Sequence, residues 1–428
     1  MADAIQLGKV KKIIESDPNR RYVIVSAPGK RFDGDNKMTD LLYLCRTHIE
    51  HNVSYDQIFQ VVCDRFRAME MNLGISVNLE KEFEEIKNNI DRGAGPDYIA
   101  SRGEYLNALL AAGYLGYDFV DAAGLIQFDE KGRFLDEETD RALAEELLKH
   151  KNAVIPGFYG TLPNGKVKTF SRGGSDITGS LTAKAVKADI YENWTDVSGF
   201  LMADPRIVKD PAPIETISYQ ELRELSYMGA SVLHEDAIYP VRAMDIPINI
   251  RNTNDPQHPG TIILSQEKPE PGRIVTGIAG SRGFTVVALY KNMMSSERGF
   301  VRRTLGVFED LGINFEHLPT GIDTLSIVIS NKQLGDRLPE LLEEIQRRMQ
   351  PDNMEVIENM ALIATVGLGM ASRTGVSARL FSALADANVN IRMIDQGSSE
   401  MNIIAGVDGK DFETAIQAIY AAFQGSGE

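Results

Sequence analysis

Cysteine is nearly absent. The 428 residues hold two, Cys45 and Cys63, in sequence that reads as helical. That excludes a disulfide-stapled scaffold and suits two buried thiols in a reduced compartment. With six histidines beside those cysteines, no metal-ligand spacing emerges, so no structural zinc site is expected. Positive charge is also short. Lys and Arg number 45 against 61 Asp and Glu, a net charge of −16. A chain this acidic is a poor non-specific nucleic-acid binder, because phosphate contacts need clustered cations. The bland meaning of the charge is solubility, and an anionic ligand would need local cations or backbone N–H groups. Long hydrophobic runs are missing too. The best, 105–117, is too short to span a bilayer, and Asp118 and Asp121 follow it. The start, MADAIQLGKVKKII, has an acid at position 3 and no apolar core segment. It is not read as a signal peptide, and the expected location is cytoplasmic.

What is present is ordinary for a soluble protein: 43% hydrophobic and 25% charged residues, in a length suited to roughly two to four domains. Helical spacing covers 2–15. The β-branched run at 22–26, ended by Pro28 and Gly29, suits a buried strand of a parallel sheet. Helices are expected at 39–50, 56–73 and 77–90, the last with Glu80, Glu82, Glu84 and Glu85 outward. A strongly apolar helix opens at SRGE, 101–104. Strand patterns fall at 118–126, 153–160 and 188–193, and a helix at 177–186 follows a glycine-rich turn. Strands alternating with helices predict an α/β domain with a mostly parallel sheet over residues 1–265.

Residues 266–272, with Pro269 and Pro271, read as a linker. Beyond it lies an internal repeat. The stretch from Gly299 and Phe300 to Phe315 superposes without a gap on that from Gly375 and Val376 to Ile391, 76 residues on. Leu305 falls on Phe381, Phe308 on Leu384 and Ile327 on Ile403. The copies, around 294–350 and 360–424, predict two ferredoxin-like α+β domains over 273–428.

The most informative motif is TFSRGGSD at 169–176. Adjacent Gly173 and Gly174 let backbone approach a ligand closely, the following helix offers free N–H groups to an anion, and Arg172 can fork onto a carboxylate. A tight turn capped by Ser175 or Asp176 explains the spacing equally well. At SRGE, Glu104 could be a first-turn acid favoured by the helix dipole and nothing more. Thr39 and Asp40 look like a plain N-cap. Thr195, Asp196 and then Arg206 follow a strand, where α/β sheets bind ligands, although Asp-Pro-Arg at 204–206 is also common turn chemistry.

Taken in order, SRGE at 101–104, FSRGGSDITGS at 170–180, WTDVSGFLMADPRIV at 194–208, SYMGASVLH at 226–234 and PINIRNTNDPQHPGT at 247–261 resemble the aspartate kinases of the amino-acid kinase family. The C-terminal repeat resembles that family's tandem ACT regulatory domains. The resemblance implies transfer of the ATP γ-phosphoryl group to the β-carboxylate of L-aspartate, the first step towards lysine, threonine and methionine. It implies Arg172 on the substrate α-carboxylate, Glu104 on its ammonium and Thr39 on a carboxylate. Gly173, Gly174 and Ser175 would line the transferring phosphate, and Asp176 would organise the charges there. Thr195 and Asp196 would border the adenosine, Arg206 would face the phosphates, and Mg²⁺ would bridge phosphate oxygens. An amino-acid effector such as lysine or threonine would sit near Met294, Ser296, Gly299 and Phe300, where a simple capping turn is the alternative. The ACT units would interleave, with 273–280 pairing with the second repeat. A homo-oligomer, dimer or tetramer, would form through them, with no nucleic-acid or membrane partner.

Two departures stand out. The family opens on a strand and a Lys-Phe-Gly-Gly turn that neutralises and cradles phosphate. Here the first residues align just after it, so 22–26 is the family's second strand. A start at an internal Met, a truncated chain, or a natural variant that binds without fast turnover would each explain this. The last implies a catalytically impaired amino-acid sensor. Where members often carry Lys in Gly-Ala-Lys-Val-Leu-His, close to the nucleotide, this chain has Ser231. A related kinase acting on glutamate is a third reading, and the ACT pair counts against it.

Overall fold

The computed structural model describes residues 1–171, 173–229, 233, 235–265, 273–371 and 373–424. Two compact units emerge, Met1–Gly199 with Leu233–Ser265, and Phe200–Val232 with Gln266–Glu428.

In the first unit the apolar run becomes the strand Tyr22–Val25, paired in parallel with Ala153–Pro156, which pairs in parallel with Asp118–Phe119. A second parallel pair joins Tyr191–Thr195 to Ile248–Asn252, with Thr261–Leu264 antiparallel beyond. The strand expected at 188–193 thus sits later. Its partner keeps register up to Asn252 opposite Thr195, so Trp194 and Thr195 belong to the strand.

Helices Met38–Glu50, Asp56–Leu73, Leu79–Asp91 and Pro96–Leu115 enclose one core, including Phe59, Phe66, Phe83, Leu106 and both cysteines. The thiols are unpaired and buried, and burial pushes each up to about 12. Two local expectations are corrected here. Thr39 and Asp40 are not the cap; the N-cap is Lys37, without a side-chain bond, and Thr39 already lies inside the helix. Glu104 is not at a helix start either. Gly95 caps and Pro96 opens a 20-residue helix, so Glu104 lies in its middle.

In the second unit the repeat folds as expected. Helices Phe300–Asp310 and Val376–Asp386 occupy equivalent positions, each opened by a left-handed glycine, Gly299 at φ 75 and Gly375 at φ 88. Strands Gly277–Tyr290, Thr324–Ser330, Asn353–Val366, Ile391–Asp395 and Asn402–Asp408 form one antiparallel sheet. The two 14-residue strands serve both repeats. Gly277 lies opposite Val366 and Gly280 opposite Ile363, and Thr276 N–H donates to Val366 O at 2.7 Å. The segment before the first repeat therefore completes the second, as the interleaving requires.

Phe200–Val232 folds onto this unit. Met202, Ala203 and Val208 join a core with Leu380, Ile403 and Ile416. Ile278 N–H donates to Met202 O at 2.7 Å, and Ala212 N–H to the Tyr420 hydroxyl at 2.9 Å. No described helix is long and apolar enough to cross a membrane.

Candidate active site

The carboxyl ends of the parallel strands gather most of the candidate residues, as expected for an α/β sheet. After Val25 the chain turns through Ser26 and Ala27. Ser26 O accepts the Asn107 side-chain amide at 2.7 Å. The Ala27 N–H donates to the Glu104 carboxyl. That approach needs Gly103, because a Cβ there would stand 2.8 Å from Ala27 Cβ and 3.4 Å from Met38 and Leu42. Glycine at 103 thus draws together the Thr39 helix, the 26–29 turn and Glu104.

Glu104 is 5% exposed, and its Oε2 has no hydrogen-bond partner. Burial is the main reason its carboxyl is pushed up to about 7; the Ala27 N–H and then Arg102 pull the other way. Three residues on, along the same helix face, Asn107 is fully buried with Oδ1 also unpartnered. Sequence reasoning missed Asn107, although its i+3 spacing from Glu104 was a usable signal.

The glycine turn meets the neighbouring strand end. Gly173 adopts φ 58 and caps the helix Gly174–Ala185 without a side-chain bond, so neither Ser175 nor Asp176 is the cap. The helix begins three residues earlier than the spacing predicts, because the glycines enter it. A Cβ on Gly174 would lie 2.8 Å from Phe158 Cα, and one on Gly157 would lie 2.6 Å from Ser175 Oγ. Phe158 itself is held at φ 83. Gly157 N–H donates to Val25 O at 3.0 Å, which ties this turn to the Ala27 side of the rim.

Asp176 Oδ1 accepts the Asn193 side-chain amide at 2.9 Å, and the Tyr191 hydroxyl donates to Asp176 O at 3.2 Å. These bonds link the glycine turn to the strand that ends at Thr195. The Thr195 hydroxyl donates to Asp196 at 3.2 Å. Lys168 and the Thr169 hydroxyl both reach Asp97, at 3.0 and 2.9 Å, fixing the approach to the turn against the helix that carries Glu104.

Glu104, Gly173, Gly174, Ser175, Asp176, Thr195 and Asp196 are therefore linked along one rim, and Thr39 lies on the helix whose Met38 and Leu42 come close to Gly103. Arg172 and Ser231 lie outside the described residues. Arg206 falls in the second unit. Its guanidinium is exposed and forks onto Asp204, whose carboxylate also takes the Arg206 N–H at 2.9 Å. In the same unit Met294–Ser296 form a 3-10 turn before Gly299, and Phe300 is buried.

Another residue that sequence reasoning missed is Arg65. It donates to Gly29 O and Asn36 O, both at 2.8 Å, and lies 3.7 Å from Asp35. This nearly buried guanidinium clamps both ends of the loop that follows the first strand.

An anion-ready glycine turn and a buried acid at the strand ends, with two interleaved regulatory repeats beyond, define a kinase of small molecules under allosteric control. The comparisons agree. The sequence model of the amino acid kinase family matches residues 2–252, and that of an ACT domain matches 363–423. Aspartokinase 3 of Bacillus subtilis is 38% identical over 99% of this chain and 96% of its own length. The crystal structure of Clostridium acetobutylicum aspartate kinase is 52% identical, with TM-score 0.92 over 99% of this chain and 97% of that one. E. coli aspartokinase III in complex with aspartate and ADP is 26% identical, with TM-score 0.75 over 99% and 97%. The same E. coli protein with lysine and aspartate gives 25% and 0.76 over the same shares. The chain belongs to the amino acid kinase family and, within it, to the aspartate kinases.

Proposed function

We infer that the chain transfers the γ-phosphoryl group of ATP to the β-carboxylate of L-aspartate, giving 4-phospho-L-aspartate and ADP at the head of lysine, threonine and methionine synthesis. The observation that carries this reading is the buried, half-satisfied Glu104 carboxyl on the same rim as the Gly173–Gly174 turn. An amino-acid ammonium would supply the missing partner to Glu104. Arg172 takes the α-carboxylate and Thr39 a carboxylate oxygen. The β-carboxylate then faces Gly173, Gly174 and Ser175, where N–H groups at the helix start stabilise the transferring phosphoryl. One carboxylate oxygen forms the new bond to phosphorus as the bond to the ADP oxygen breaks. The protein mainly positions the reactants in line and neutralises their oxygens.

Thr195 and Asp196 border the adenosine, Ser231 lies near the nucleotide and Arg206 serves the phosphates. Among the described residues no three acidic, His or Cys side chains converge as a metal cage. Mg²⁺ would be carried in by ATP, and Asp176 would help to hold it. Bound there, the ion supplies neutralisation of phosphate charge.

Residues 1–265 supply the catalytic domain, although Phe200–Val232 within them packs with the repeats, 266–272 the linker and 273–428 the regulatory pair. An amino acid such as lysine or threonine binds near Met294, Ser296, Gly299 and Phe300 and feeds back on turnover. The protein works in the cytoplasm as a homo-oligomer joined through its ACT domains. The test is aspartate-dependent ADP release with Mg-ATP. Arg172→Ala should raise KM for aspartate far more than KM for ATP. Equal effects on both would refute the role of Arg172, and aspartate-independent release would refute the reaction.

A further inference from the structure

The C-terminal sheet has a second face. Val287 and Leu289 pack under the helices of the first repeat, and Ala361 and Ile363 under those of the second. By alternation Val286, Ser326 and Met360 turn the other way. That face is not open: Val286, Val328, Met360 and Leu362 are buried. The sheet curls on itself, and on this face Gly406 lies between its neighbouring strands, where an added Cβ would stand 2.9 Å from Met393 Cβ and 3.2 Å from Met360 Cε.

The curl closes at its edges. Residues 316–319 bond to the strand Thr324–Ser330, through Glu316 N–H to Val328 O at 2.8 Å and Ser326 N–H to Pro319 O at 2.9 Å. From that added edge, His317 Nδ1 reaches Asp395 Oδ2 at 2.6 Å, on the strand Ile391–Asp395 at the far edge. Next to this seam lies a cavity of about 150 Å³, lined by Val286, Pro319 and Ser326 from one repeat and by Met360, Arg392 and Met393 from the other.

We propose that this cavity binds a small apolar carboxylate, the size of a free branched-chain amino acid, with its carboxylate on Arg392 and its side chain against Val286, Met360 and Met393. The volume matches cavities that accept a benzene-sized apolar group. The wall is mostly aliphatic and thioether, which suits a flexible hydrocarbon group. Among the described residues, the Arg392 guanidinium and the Ser326 hydroxyl make no side-chain hydrogen bond or ion pair. A guanidinium at the edge of an apolar cavity selects a carboxylate, which it can grip with two parallel bonds. The ligand touches both repeats at once, so its binding links their positions. This site is separate from the effector position at Met294–Phe300.

The test uses the full chain with methyl-labelled methionine, followed by NMR, with L-leucine as probe and leucinamide as the control that lacks the carboxylate. Met360→Leu and Met393→Leu assign the two signals. L-leucine should shift both saturably, and leucinamide should not. Arg392→Gln, an exposed change, should weaken binding at least about tenfold, as expected for loss of a charged hydrogen-bonded pair. Ser296→Ala should leave the leucine shift intact. Absence of a shift with L-leucine, an equal shift with leucinamide, unchanged affinity in Arg392→Gln, or loss of the shift in Ser296→Ala would each overturn the proposal. The effector reading is tested separately, by whether Ser296→Ala loses the lysine or threonine response while Arg392→Gln keeps it.

Discussion

Glu221 Oε1 accepts the Thr276 hydroxyl at 2.7 Å, deep in the second unit. The same oxygen takes the Leu368 N–H at 2.8 Å, and Oε2 takes the Ser218 N–H and hydroxyl at 2.9 and 2.8 Å. One carboxylate thus closes the capping box of the helix Tyr219–Tyr227 and holds that helix to the sheet and to the turn after Val366. Glu221→Gln turns an NH₂ group towards donors. It should destabilise the second unit by about 1.5–3 kcal/mol, the range for hydrogen bonds to a charged group. Chemical denaturation of the full chain checks this; an unmoved midpoint would contradict it.

Glu104 makes pH a probe of the site. Its folded pKa of about 7 lies above the ordinary 4.5. Between those values the folded chain keeps a proton that the unfolded chain has lost, so this group's contribution to stability falls as pH rises through that window. Ionisation above it readies the carboxylate for an ammonium. The kcat/KM for aspartate should therefore rise through about pH 7. Glu104→Gln should abolish that rise and flatten the fall in apo-protein stability. A pH profile unaltered by the substitution would remove Glu104 from substrate binding.

Gly174→Ala tests the close approach at the glycine turn. The new methyl would meet Phe158 Cα, backbone that cannot swing aside. The helix start must shift, and a displacement near 1 Å should cost about 100-fold in kcat. Activity within a few-fold of the parent would mean that the turn does not position the phosphoryl group.

Trp194 is the sole tryptophan, so its emission reports on the Thr195 end of the rim. The Arg20 and Arg251 guanidiniums lie over its ring, at 5.4 and 4.7 Å, and its N–H donates to Glu192 at 3.0 Å. ATP binding beside Thr195 and Asp196 should change that emission, and Asp196→Asn should reduce the change. Emission that stays constant at saturating ATP would count against the placement of both residues.

The repeat was readable because helix faces repeat their apolar positions. Phe308 and Leu384 fill equivalent places in two cores, and the glycines before each helix mark the same left-handed turn. The glycine motif and the buried acid were readable as residue types, but not their setting. Glu104 lies mid-helix because Gly95 and Pro96 set the start earlier, a signal present but outweighed by the SRGE motif. Arg65 was hidden because its partners are backbone carbonyls far along the chain, which no local pattern encodes, whereas the one local signal for Asn107 was its i+3 spacing from Glu104.

The path of the chain limits how this enzyme can be taken apart. The stretch Phe200–Val232 carries family motifs of the kinase, yet it packs with the repeats beyond residue 265. A fragment ending at 265 would strand Met202, Val208 and Leu225 without the surfaces that bury them. A regulatory half grafted onto another kinase from residue 273 would arrive with its seat for that stretch empty. Exchange of regulation between relatives therefore has to move two pieces of sequence together, and a single crossover at the linker would yield a sticky, mismatched hybrid.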